Sequence, residues 1–365
     1  MNVCFFNSNR AWGGGEKWHL DMASGLYAKG CHVVLIAGSK SELLGQAQKA
    51  KIPYNQIRVT NLSFLNIMKV LKLVWYFRKQ QFETIIINLS ADLKLAGISA
   101  KLAGVKNIIY RRGLAKPVRN TVFNRFLFQR IISRIIANSE ETKRTLVQNN
   151  SKLFPVEKII TLYNGIDLKK LDNMPVINLF EKKENEVVIG NAGRLVHQKG
   201  QQHLIELASI LQREGMDHRI VIAGNGPLEQ QLRQMAVHAG VEKSITFLGF
   251  VENIKAFMEN IDIFVLTSLW EGFGYVLAEA MACYKPVVAF NVSSNPEIVI
   301  DKETGYLVEM KNTEKMAEKL RILIKNPSLR KEMGQKGRKR VEEIFNISDN
   351  LPRLELFLRL LQQDS

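Results

Sequence analysis

Short apolar runs alternate with amphipathic segments along the whole chain, and this alternation predicts strands separated by helices. In the first half, the runs that we expect to form strands are residues 3–7, 32–37, 84–88, 107–110, 131–139 and 158–164. In the second half they are residues 187–193, 219–224, 244–249, 261–267 and 286–290. Short strands that are apolar on both faces are typical of a parallel sheet covered by helices on both sides. The pattern therefore indicates an α/β fold with two Rossmann-like βαβ domains.

A polar stretch divides the pattern into two parts. It contains Pro175 and the run EKKENE, which ends at Glu186, and we expect a linker over residues 169–186. The predicted domains are residues 1–168 and 187–345, and residues 346–365 carry an amphipathic segment expected to pack as a helix on one of the two domains. Two such domains are expected to face a central cleft, bordered by the carboxyl ends of both sheets, where open α/β sheets bind ligands.

The segment LTSLWEGFGYVLAEAMA (266–282) is the strongest candidate for chemistry. Gly272 and Gly274 allow backbone amides to approach a ligand, and the predicted helix N-terminus that follows favours an anion. Glu279 follows Glu271 by eight positions, so the two carboxylates can accept hydroxyl hydrogen bonds at two ends of one ligand. The alternative is that Glu271 caps the helix and Glu279 faces solvent. The apolar neighbours of Glu279 favour the binding role, because a carboxylate among them needs partners.

Two other glycine-containing loops follow predicted strands. In GNAGRLVHQKG (190–200), Arg194 and Lys199 precede a predicted helix and together make a plausible diphosphate clamp. In the loop WGGGE (12–16), Gly14 and Gly15 resemble part of a phosphate-binding loop, although the sequence is neither GxGxxG nor a Walker motif. A plain chain reversal explains this second loop equally well.

The net charge of +16 lies entirely in the first half of the chain. Residues 1–167 contain 25 Lys and Arg against 9 Asp and Glu, whereas residues 168–365 contain 26 of each class. This asymmetry predicts an anionic partner for the first half, such as a membrane, a nucleic acid or an acidic substrate.

Two stretches concentrate this charge beside apolar residues. Residues 43–82 and 111–134 each contain seven basic side chains and no acidic one. Their apolar residues include Phe64, Leu65, Trp75, Tyr76, Phe77, Phe123, Phe126, Leu127 and Phe128. A basic face beside an aromatic and aliphatic one predicts reversible docking on anionic lipid. Solvated helices with an ordinary buried face are the alternative.

Composition excludes several classes of protein. The three cysteines lie far apart and the six histidines show no ligand spacing, so neither a disulfide framework nor a zinc site is expected. No apolar run approaches the roughly 20 residues that span a bilayer, and the first residues lack the features of a signal peptide. We therefore expect a cytoplasmic protein, without a metal or other cofactor, that lies peripherally on the inner face of the cytoplasmic membrane.

The motifs together resemble glycosyltransferase family 4, the retaining nucleotide-sugar transferases of GT-B fold. The motifs that carry this resemblance are WGGGE, IIANS (135–139), NGID (164–167), GRLVHQKG, AGNGP (223–227), FLGFV (247–251), EGFGYVLAEAMA and NPEIV (295–299). The resemblance implies transfer of a sugar from a nucleoside diphosphate to a hydroxyl of a glycan or glycolipid acceptor, with no metal.

The resemblance also implies roles for particular residues. Arg194 and Lys199 would contact the donor diphosphate, Glu271 the hydroxyls of the donor sugar and Glu279 the ribose. The other residues implied in donor binding are Gly14, Gly15, Phe250, Val251, Gly272, Phe273 and Gly274.

One position departs from the family pattern. Many relatives carry a histidine after the strand that reads TIIIN in this chain, which has Asn88 at that place and Asp92 four residues later. Either Asp92 assists the acceptor hydroxyl, or the leaving phosphate of the donor removes its proton. A third interpretation is that Asp92 only caps the following helix.

Two other functions compete with the transferase prediction. A GT-B epimerase of nucleotide sugars is disfavoured, because epimerisation needs positioned acid and base groups that the sequence does not show. A basic nucleic-acid-binding protein would account for the charge, but the chain shows no motif of a known nucleic-acid-binding module. We therefore expect no nucleic-acid partner.

Overall fold

The structure is a computed structural model that describes residues 1–184 and 186–363. The chain forms two compact units, of which the first combines Met1–Gly165 with the segment that starts at Ser348 and the second spans Ile166–Ile347. Each unit is a parallel sheet with helices, which confirms the predicted α/β class.

The first unit contains a parallel sheet of seven strands within the described residues. Its strands are β1 (Asn2–Asn7), β2 (His32–Gly38), β3 (Tyr54–Ile57), β4 (Thr84–Ile87), β5 (Asn107–Arg112), β6 (Arg134–Ala137) and β7 (Ile159–Thr161). They lie in the order β3-β2-β1-β4-β5-β6-β7. The helices from the first part of the chain are α1 (Gly14–Ala28), α2 (Glu42–Lys49), α3 (Ile67–Gln80), α4 (Ser90–Asp92), α5 (Ile98–Ala103), α6 (Val122–Phe126) and α7 (Glu140–Val147).

The second unit repeats this plan with six strands in the described part of the chain. They are β8 (Val188–Ala192), β9 (Arg219–Ala223), β10 (Ile245–Gly249), β11 (Ile263–Leu266), β12 (Val287–Phe290) and β13 (Gly305–Val308), in the order β10-β9-β8-β11-β12-β13. Its helices are α8 (Leu168–Asp172), α9 (Gln202–Arg213), α10 (Glu229–His238), α11 (Ile254–Glu259), α12 (Tyr275–Ala282), α13 (Asn295–Ile298), α14 (Thr313–Lys325) and α15 (Pro327–Ile344).

Short turns of other helix types complete the elements. Two π-helical turns, Leu93–Gly97 and Leu127–Ile131, continue α4 and α6. The 3₁₀ turns are Ser63–Leu65, Val156–Lys158, His197–Lys199 and Glu242–Ser244.

Both sheets have the strand order of a Rossmann-like fold, in which the order reverses next to the first strand. The reversal lies between β1 and β4 in the first unit and between β8 and β11 in the second. Ligands of such sheets bind outside the carboxyl ends of the strands at this switch point. The fold therefore singles out two places at which functional side chains should be sought.

The final helix, α16 (Ile347–Gln363), contributes to the first unit. Leu354 and Leu358 on its inner face are almost completely buried. At the helix surface, Lys29, which directly follows α1, donates to Glu355 at 2.5 Å, and Gln362 hydrogen-bonds Glu83. The end of the chain thus packs on the unit that contains its beginning.

The structure contains elements that the hydrophobic pattern does not reveal. β3 is an edge strand with the sequence YNQI and a largely exposed surface, so it lacks the apolar run that marks the central strands. β13 lies in a region where only helices are expected, and it is a four-residue edge strand. The segment expected to be a linker, 169–186, lies within the second unit, where Lys182 pairs with Asp262 at 2.6 Å.

Candidate functional site

The switch point of the second sheet brings together two of the predicted site residues. Lys199 lies in the loop after β8 and Glu271 in the loop after β11, and Lys199 Nζ donates to Glu271 Oε1 at 2.6 Å. The side chains of Lys199 and Glu271 are only 19% and 7% exposed. An ion pair that is shielded from water to this extent holds both groups in a fixed geometry.

Hydrogen bonds to backbone carbonyl oxygens fasten the same two loops to each other. Leu269 N donates to Gln198 O at 2.8 Å, and Gln198 Nε2 donates to Trp270 O at 2.9 Å. Gly200 has a φ of +62°, and a Cβ atom there would lie 2.3 Å from the carbonyl oxygen of Thr267. This close approach requires glycine. The position of Lys199 is therefore set by the backbone as well as by Glu271.

Glu271 does not cap the helix that follows it. Gly274 occupies the N-cap position of α12, which has no side-chain cap. Glu279 is half-buried within α12. Gly272, also half-buried, and Gly274 lead into the N-terminus of this helix, whose dipole favours an anion nearby.

The remaining residues of the predicted donor site differ in exposure. The ring of Phe273 is buried between those of Tyr275 and Phe345, with centroid distances of 5.4 and 5.5 Å, so this side chain belongs to the core. Arg194 is exposed, and its guanidinium forms no ion pair with any described residue. After β10, Phe250 is 72% exposed, whereas Val251 is half-buried.

The switch point of the first sheet holds Asp92. This carboxylate is inaccessible to water and accepts hydrogen bonds from Ser8 N at 2.9 Å and Ser8 Oγ at 2.5 Å. Burial raises the pKa of Asp92 to about 7, the Ser8 hydrogen bonds act against this rise, and the nearby Glu16 adds to it. No side-chain cap is formed by Asp92, which instead links the loop after β1 to that after β4.

A buried polar cluster that the sequence interpretation missed lies at the same edge of this sheet. Arg111 is 2% exposed, donates to Asn88 Oδ1 and Asn164 Oδ1 at 2.9 Å each, and lies 4.9 Å from the ring centroid of Trp18. Asn88 in turn touches Gly15, where a Cβ atom would lie 2.7 Å from Asn88 Nδ2. The available signal was the pair of arginines at the end of the strand NIIYRR.

The glycine loop after β1 is also held by buried polar contacts. Gly14 is the first residue of α1. The carboxylate of Glu16 is almost completely buried and accepts from Asn7 Nδ2 and Asn9 Nδ2 at 3.0 Å each. In the next turn of α1, burial lowers the pKa of His19 to about 3, so this imidazole is neutral near pH 7. These contacts give the loop one conformation.

The first basic stretch exposes a different set of apolar residues from the set that its sequence suggested. Phe77 is buried, and Phe64 packs on Phe123 with a centroid distance of 5.1 Å. The residues that are more than half exposed include Leu65 and Trp75 from the predicted set. Together with four others they form what we call the α3 surface: Leu62, Leu65, Ile67, Met68, Leu71 and Trp75. Lys79 Nζ lies 5.0 Å from the ring centroid of Trp75, so basic groups border this surface.

The second basic stretch is more deeply buried than expected. Arg111, Leu127 and Phe128 are buried, and only Phe126 among its four named apolar residues is exposed. The amphipathic segments therefore use much of their apolar surface for the core of the first unit.

The described residues contain neither a cluster of metal-ligating side chains nor a helix that could span a membrane. No group of three or more His, Cys, Asp or Glu side chains in residues 1–184 and 186–363 is arranged to hold a metal ion. No helix in the described part of the chain has both the length and the apolar character that crossing a bilayer requires.

Comparison with known proteins shows that each half of the chain matches a glycosyltransferase family. Residues 12–170 match Glycosyltransferase Family 4, and residues 177–340 match Glycosyl transferases group 1. An uncharacterized glycosyltransferase of Haemophilus influenzae is 28% identical over 337 residues, which cover 89% of this chain and 91% of that protein.

A second relative has an assigned activity. The N-acetylgalactosamine-N,N'-diacetylbacillosaminyl-diphospho-undecaprenol 4-alpha-N-acetylgalactosaminyltransferase of Campylobacter jejuni is 31% identical over 227 residues. The match covers 61% of this chain and 60% of that protein.

A solved structure is similar along almost the entire length. HepE of Anabaena in complex with UDP superimposes with a TM-score of 0.82 at 21% identity, over 98% of this chain and 100% of that one. At this identity the likeness shows the fold, and it agrees with the predicted GT-B class.

Proposed function

This chain belongs to the group 1, family 4 glycosyltransferases, and we propose that it moves a sugar with retention of configuration from a nucleoside diphosphate sugar to a hydroxyl of a lipid-linked or lipopolysaccharide-type glycan. That the chain is a transferase enzyme follows from its family. The donor, the stereochemistry and the acceptor are the parts that we propose.

The contact between Lys199 and Glu271 is the observation that carries the proposal. It lies at the switch point of the second sheet, beside the glycine turn that opens α12. Lys199 has three N–H donors, of which Glu271 engages one, so the ammonium can still bind a diphosphate oxygen. The other carboxylate oxygen of Glu271 can accept a hydrogen bond from a sugar hydroxyl. Arg194, exposed on the same loop as Lys199, can supply a second positive charge.

In the proposed reaction the bond between the sugar and the diphosphate breaks, and the acceptor oxygen bonds to the same sugar carbon. The departing diphosphate gains negative charge, which Lys199, Arg194 and the dipole at the N-terminus of α12 would stabilise. Glu279, in the second turn of α12, would accept hydrogen bonds from the ribose hydroxyls. In this proposal, Phe250 and Val251 would border the base, and Gly14 and Gly15 would approach the phosphates or the acceptor.

Asp92 is proposed to receive a proton through Ser8, because its own carboxylate is inaccessible to water: the Ser8 hydroxyl would pass its proton to Asp92 and take the proton of the acceptor hydroxyl. A carboxylate with a pKa near 7 can accept a proton at neutral pH and release it afterwards. The buried hydrogen bonds from Ser8 would hold it in place between these two events.

A panel of UDP-, GDP- and ADP-sugars tests the donor. A ligand at 100 times its dissociation constant adds about 2.7 kcal/mol of stability, which a thermal unfolding experiment detects. One class of nucleotide sugar is expected to raise the midpoint. If no nucleotide sugar does so, and none is consumed with any acceptor, the proposal is wrong.

The product and the metal requirement provide two further tests. Retention predicts that NMR of the product shows the anomeric configuration of the donor. Because the sequence contains no DxD motif and we assign charge stabilisation to Lys199 and Arg194, activity is expected to survive excess EDTA. A product with inverted configuration would contradict retention. Activity that EDTA abolishes and Mn²⁺ restores would contradict metal independence.

The acceptor is proposed to be presented at the inner face of the cytoplasmic membrane. The net charge of +16 in residues 1–167 and the exposed α3 surface support this location. The named activity of the Campylobacter jejuni relative involves a diphospho-undecaprenol, which is a lipid carrier of the class proposed.

A further inference from the structure

A pocket of about 480 Å³ lies at one edge of the first sheet and is distinct from the glycine loop. It is lined by residues that follow four neighbouring strands, including Ser8 after β1, Ser39 after β2, Arg58 after β3 and Ala91 after β4. The carboxyl ends of parallel strands are the usual place for ligands in such a sheet. Neither the family assignment nor the contacts described above gives this pocket a ligand.

The floor of the pocket is rigid. A Cβ atom on Gly38 would lie 2.4 Å from the carbonyl oxygen of Ser8, so the loop after β1 crosses the end of β2 in direct backbone contact. Ser39 N donates to Ile57 O at 3.0 Å, which ties the loops after β2 and β3 together. Ser8 is held in addition by Asp92. The pocket is therefore preformed, which lowers the cost of ordering it around a ligand.

The side chains that line the pocket carry a positive charge. Arg10 and Arg58 both line the pocket and are exposed, and neither guanidinium forms an ion pair within residues 1–184 and 186–363. None of the described residues that line the pocket is acidic. Two guanidinium groups beside serine, threonine and asparagine side chains suit a phosphate or diphosphate next to sugar hydroxyls.

The loop that carries Arg58 connects the pocket to the α3 surface. Lys69 Nζ of α3 donates to Arg58 O at 2.8 Å, and Ser63 Oγ accepts from Thr60 N at 2.9 Å, so this loop is fixed against the helix. Thr60 and Asn61 line the pocket, and the next residue, Leu62, is 68% exposed. A ligand with its phosphate in the pocket would thus have an apolar surface at the rim.

We propose that this pocket binds the phosphate or diphosphate of a lipid-linked acceptor through Arg10 and Arg58, while the lipid leaves across Leu62 and the rest of the α3 surface. The inference rests on the proposed function, because it names the acceptor class of the same enzyme. Ser8 lies between the pocket and Asp92, so a sugar attached to the bound phosphate would start beside the group that we assign to the acceptor hydroxyl.

Binding of farnesyl diphosphate to the full chain tests this proposal by calorimetry at micromolar concentration. Arg10→Ala and Arg58→Ala are each expected to weaken the affinity at least about tenfold, since each removes one charge-assisted hydrogen bond. Arg353→Ala removes another exposed arginine, on α16 of the same unit, and is the matched control, with no change expected. Unchanged affinity in both pocket variants would overturn the proposal.

Two additional ligands separate the phosphate from the lipid. Inorganic pyrophosphate is expected to bind the same pocket more weakly than farnesyl diphosphate. Its binding should also be lost in the Arg10→Ala and Arg58→Ala variants. Farnesol, which lacks the phosphate, is expected to bind more weakly still. Pyrophosphate that binds as tightly as farnesyl diphosphate would contradict the lipid part, and farnesol that binds as tightly would contradict the phosphate part.

Nucleoside diphosphate binding keeps this test separate from that of the proposed function. Binding of UDP or GDP should be sensitive to Lys199→Ala and insensitive to Arg10→Ala and Arg58→Ala, and farnesyl diphosphate should show the reverse pattern. A protein that binds farnesyl diphosphate through the arginines but no nucleotide would refute the proposed donor site alone. A protein that binds nucleotide through Lys199, but whose binding of farnesyl diphosphate does not respond to Arg10→Ala or Arg58→Ala, would refute the pocket alone.

Discussion

At the residue scale, the chemistry that we propose for the second unit depends on one shielded ion pair. Lys199 and Glu271 neutralise each other when no ligand is bound, which limits the cost of holding each charge away from water. A diphosphate that approaches Lys199 would add a second acceptor to the ammonium and leave Glu271 free to accept from a sugar hydroxyl. The pair therefore keeps both groups in place before the donor arrives.

Lys199→Ala is expected to lower kcat/KM for the donor by about 10²- to 10³-fold, since the lost contact strengthens as the diphosphate leaves. Arg194→Ala and Glu279→Ala should also reduce donor use while the protein remains folded. Lys182→Ala is the matched control, because Lys182 forms a more exposed ion pair with Asp262 in the same unit. Steady-state kinetics measure the loss of kcat/KM, and circular dichroism shows whether each variant remains folded. A Lys199→Ala enzyme within twofold of the wild type would refute the assigned role.

Asp92 should give the protein a distinctive dependence on pH. Its pKa is raised from about 4 to about 7 by burial, so the folded protein holds a proton that the unfolded chain releases. The stability contributed by this proton is complete below pH 4 and is lost as the pH rises to about 7. Asp92→Asn abolishes this dependence, and the free energy of unfolding of the variant relative to the wild type should rise by up to roughly 4 kcal/mol over that interval.

Denaturant unfolding between pH 4 and pH 8 measures this difference, and the pH profile of kcat/KM tests the proposed role in proton transfer. Activity should rise with pH through about 7 in the wild type and be strongly reduced in Asp92→Asn. Ser8→Ala removes the hydroxyl hydrogen bond and keeps the backbone N–H bond to Asp92, so the pKa of Asp92 should rise and the pH profile of the remaining activity should shift to higher pH. A constant stability difference across the pH range, or a fully active Asp92→Asn enzyme, would contradict the assignment.

At the scale of elements, α3 serves the core and the surface at the same time. Its inner face buries Leu73, Val74 and Phe77, and its outer face exposes Ile67, Leu71 and Trp75 at intervals of four residues. That spacing places the exposed residues in one stripe. Because an apolar stripe bordered by lysines is costly to leave in water, it supports the proposal that this surface contacts lipid.

Replacing Ile67 and Leu71 together by serine should reduce binding to anionic vesicles several-fold, because each loses apolar surface that would enter the lipid. Co-sedimentation with phosphatidylglycerol and phosphatidylcholine vesicles at low and high salt measures this. The control is the pair Leu356→Ser and Leu360→Ser, which changes two exposed leucines of α16 in the same unit. Wild-type protein that remains in the supernatant with both lipids, or equal losses in the two double variants, would contradict membrane docking through α3.

At the scale of the whole molecule, the path of the chain links its two ends within one unit. The chain forms the first unit, continues through the second and returns as α16 to complete the first. The inner face of α16 buries Leu354, Leu358 and Leu361. The stability of the first unit therefore depends on the last residues of the second half of the sequence.

Leu354→Ala is expected to destabilise the first unit by about 2 to 5 kcal/mol, which is the usual cost of truncating a buried leucine. Leu356→Ala, two positions later on the exposed side, should change stability by no more than about 0.5 kcal/mol. Urea unfolding followed by intrinsic fluorescence can separate the two variants, since Trp12, Trp18 and Trp75 belong to the first unit. Equal midpoints for the two variants would show that α16 does not support the unit.

The sequence by itself determined the α/β class, the two Rossmann-like units and the loops in which the candidate residues lie. It could do so because burial of both sheet faces leaves a local mark, a short apolar run followed by an amphipathic segment. The edge strands β3 and β13 lack a clear mark of this kind, because β3 is largely exposed and β13 is only four residues long. Glycines and charged residues after apolar runs were also visible locally, and they located Lys199, Glu271 and Asp92.

Only the tertiary structure decided which of these residues meet. Lys199 and Glu271 are 72 positions apart, and Asp92 and Ser8 are 84 positions apart. They become neighbours because the strand order places β8 beside β11 and β1 beside β4. The burial that raises the pKa of Asp92, the Arg111 cluster and the Arg10–Arg58 pocket likewise arise from loops that are distant in sequence. Strand order and packing are long-range properties, so a local pattern of apolar and polar residues does not contain them.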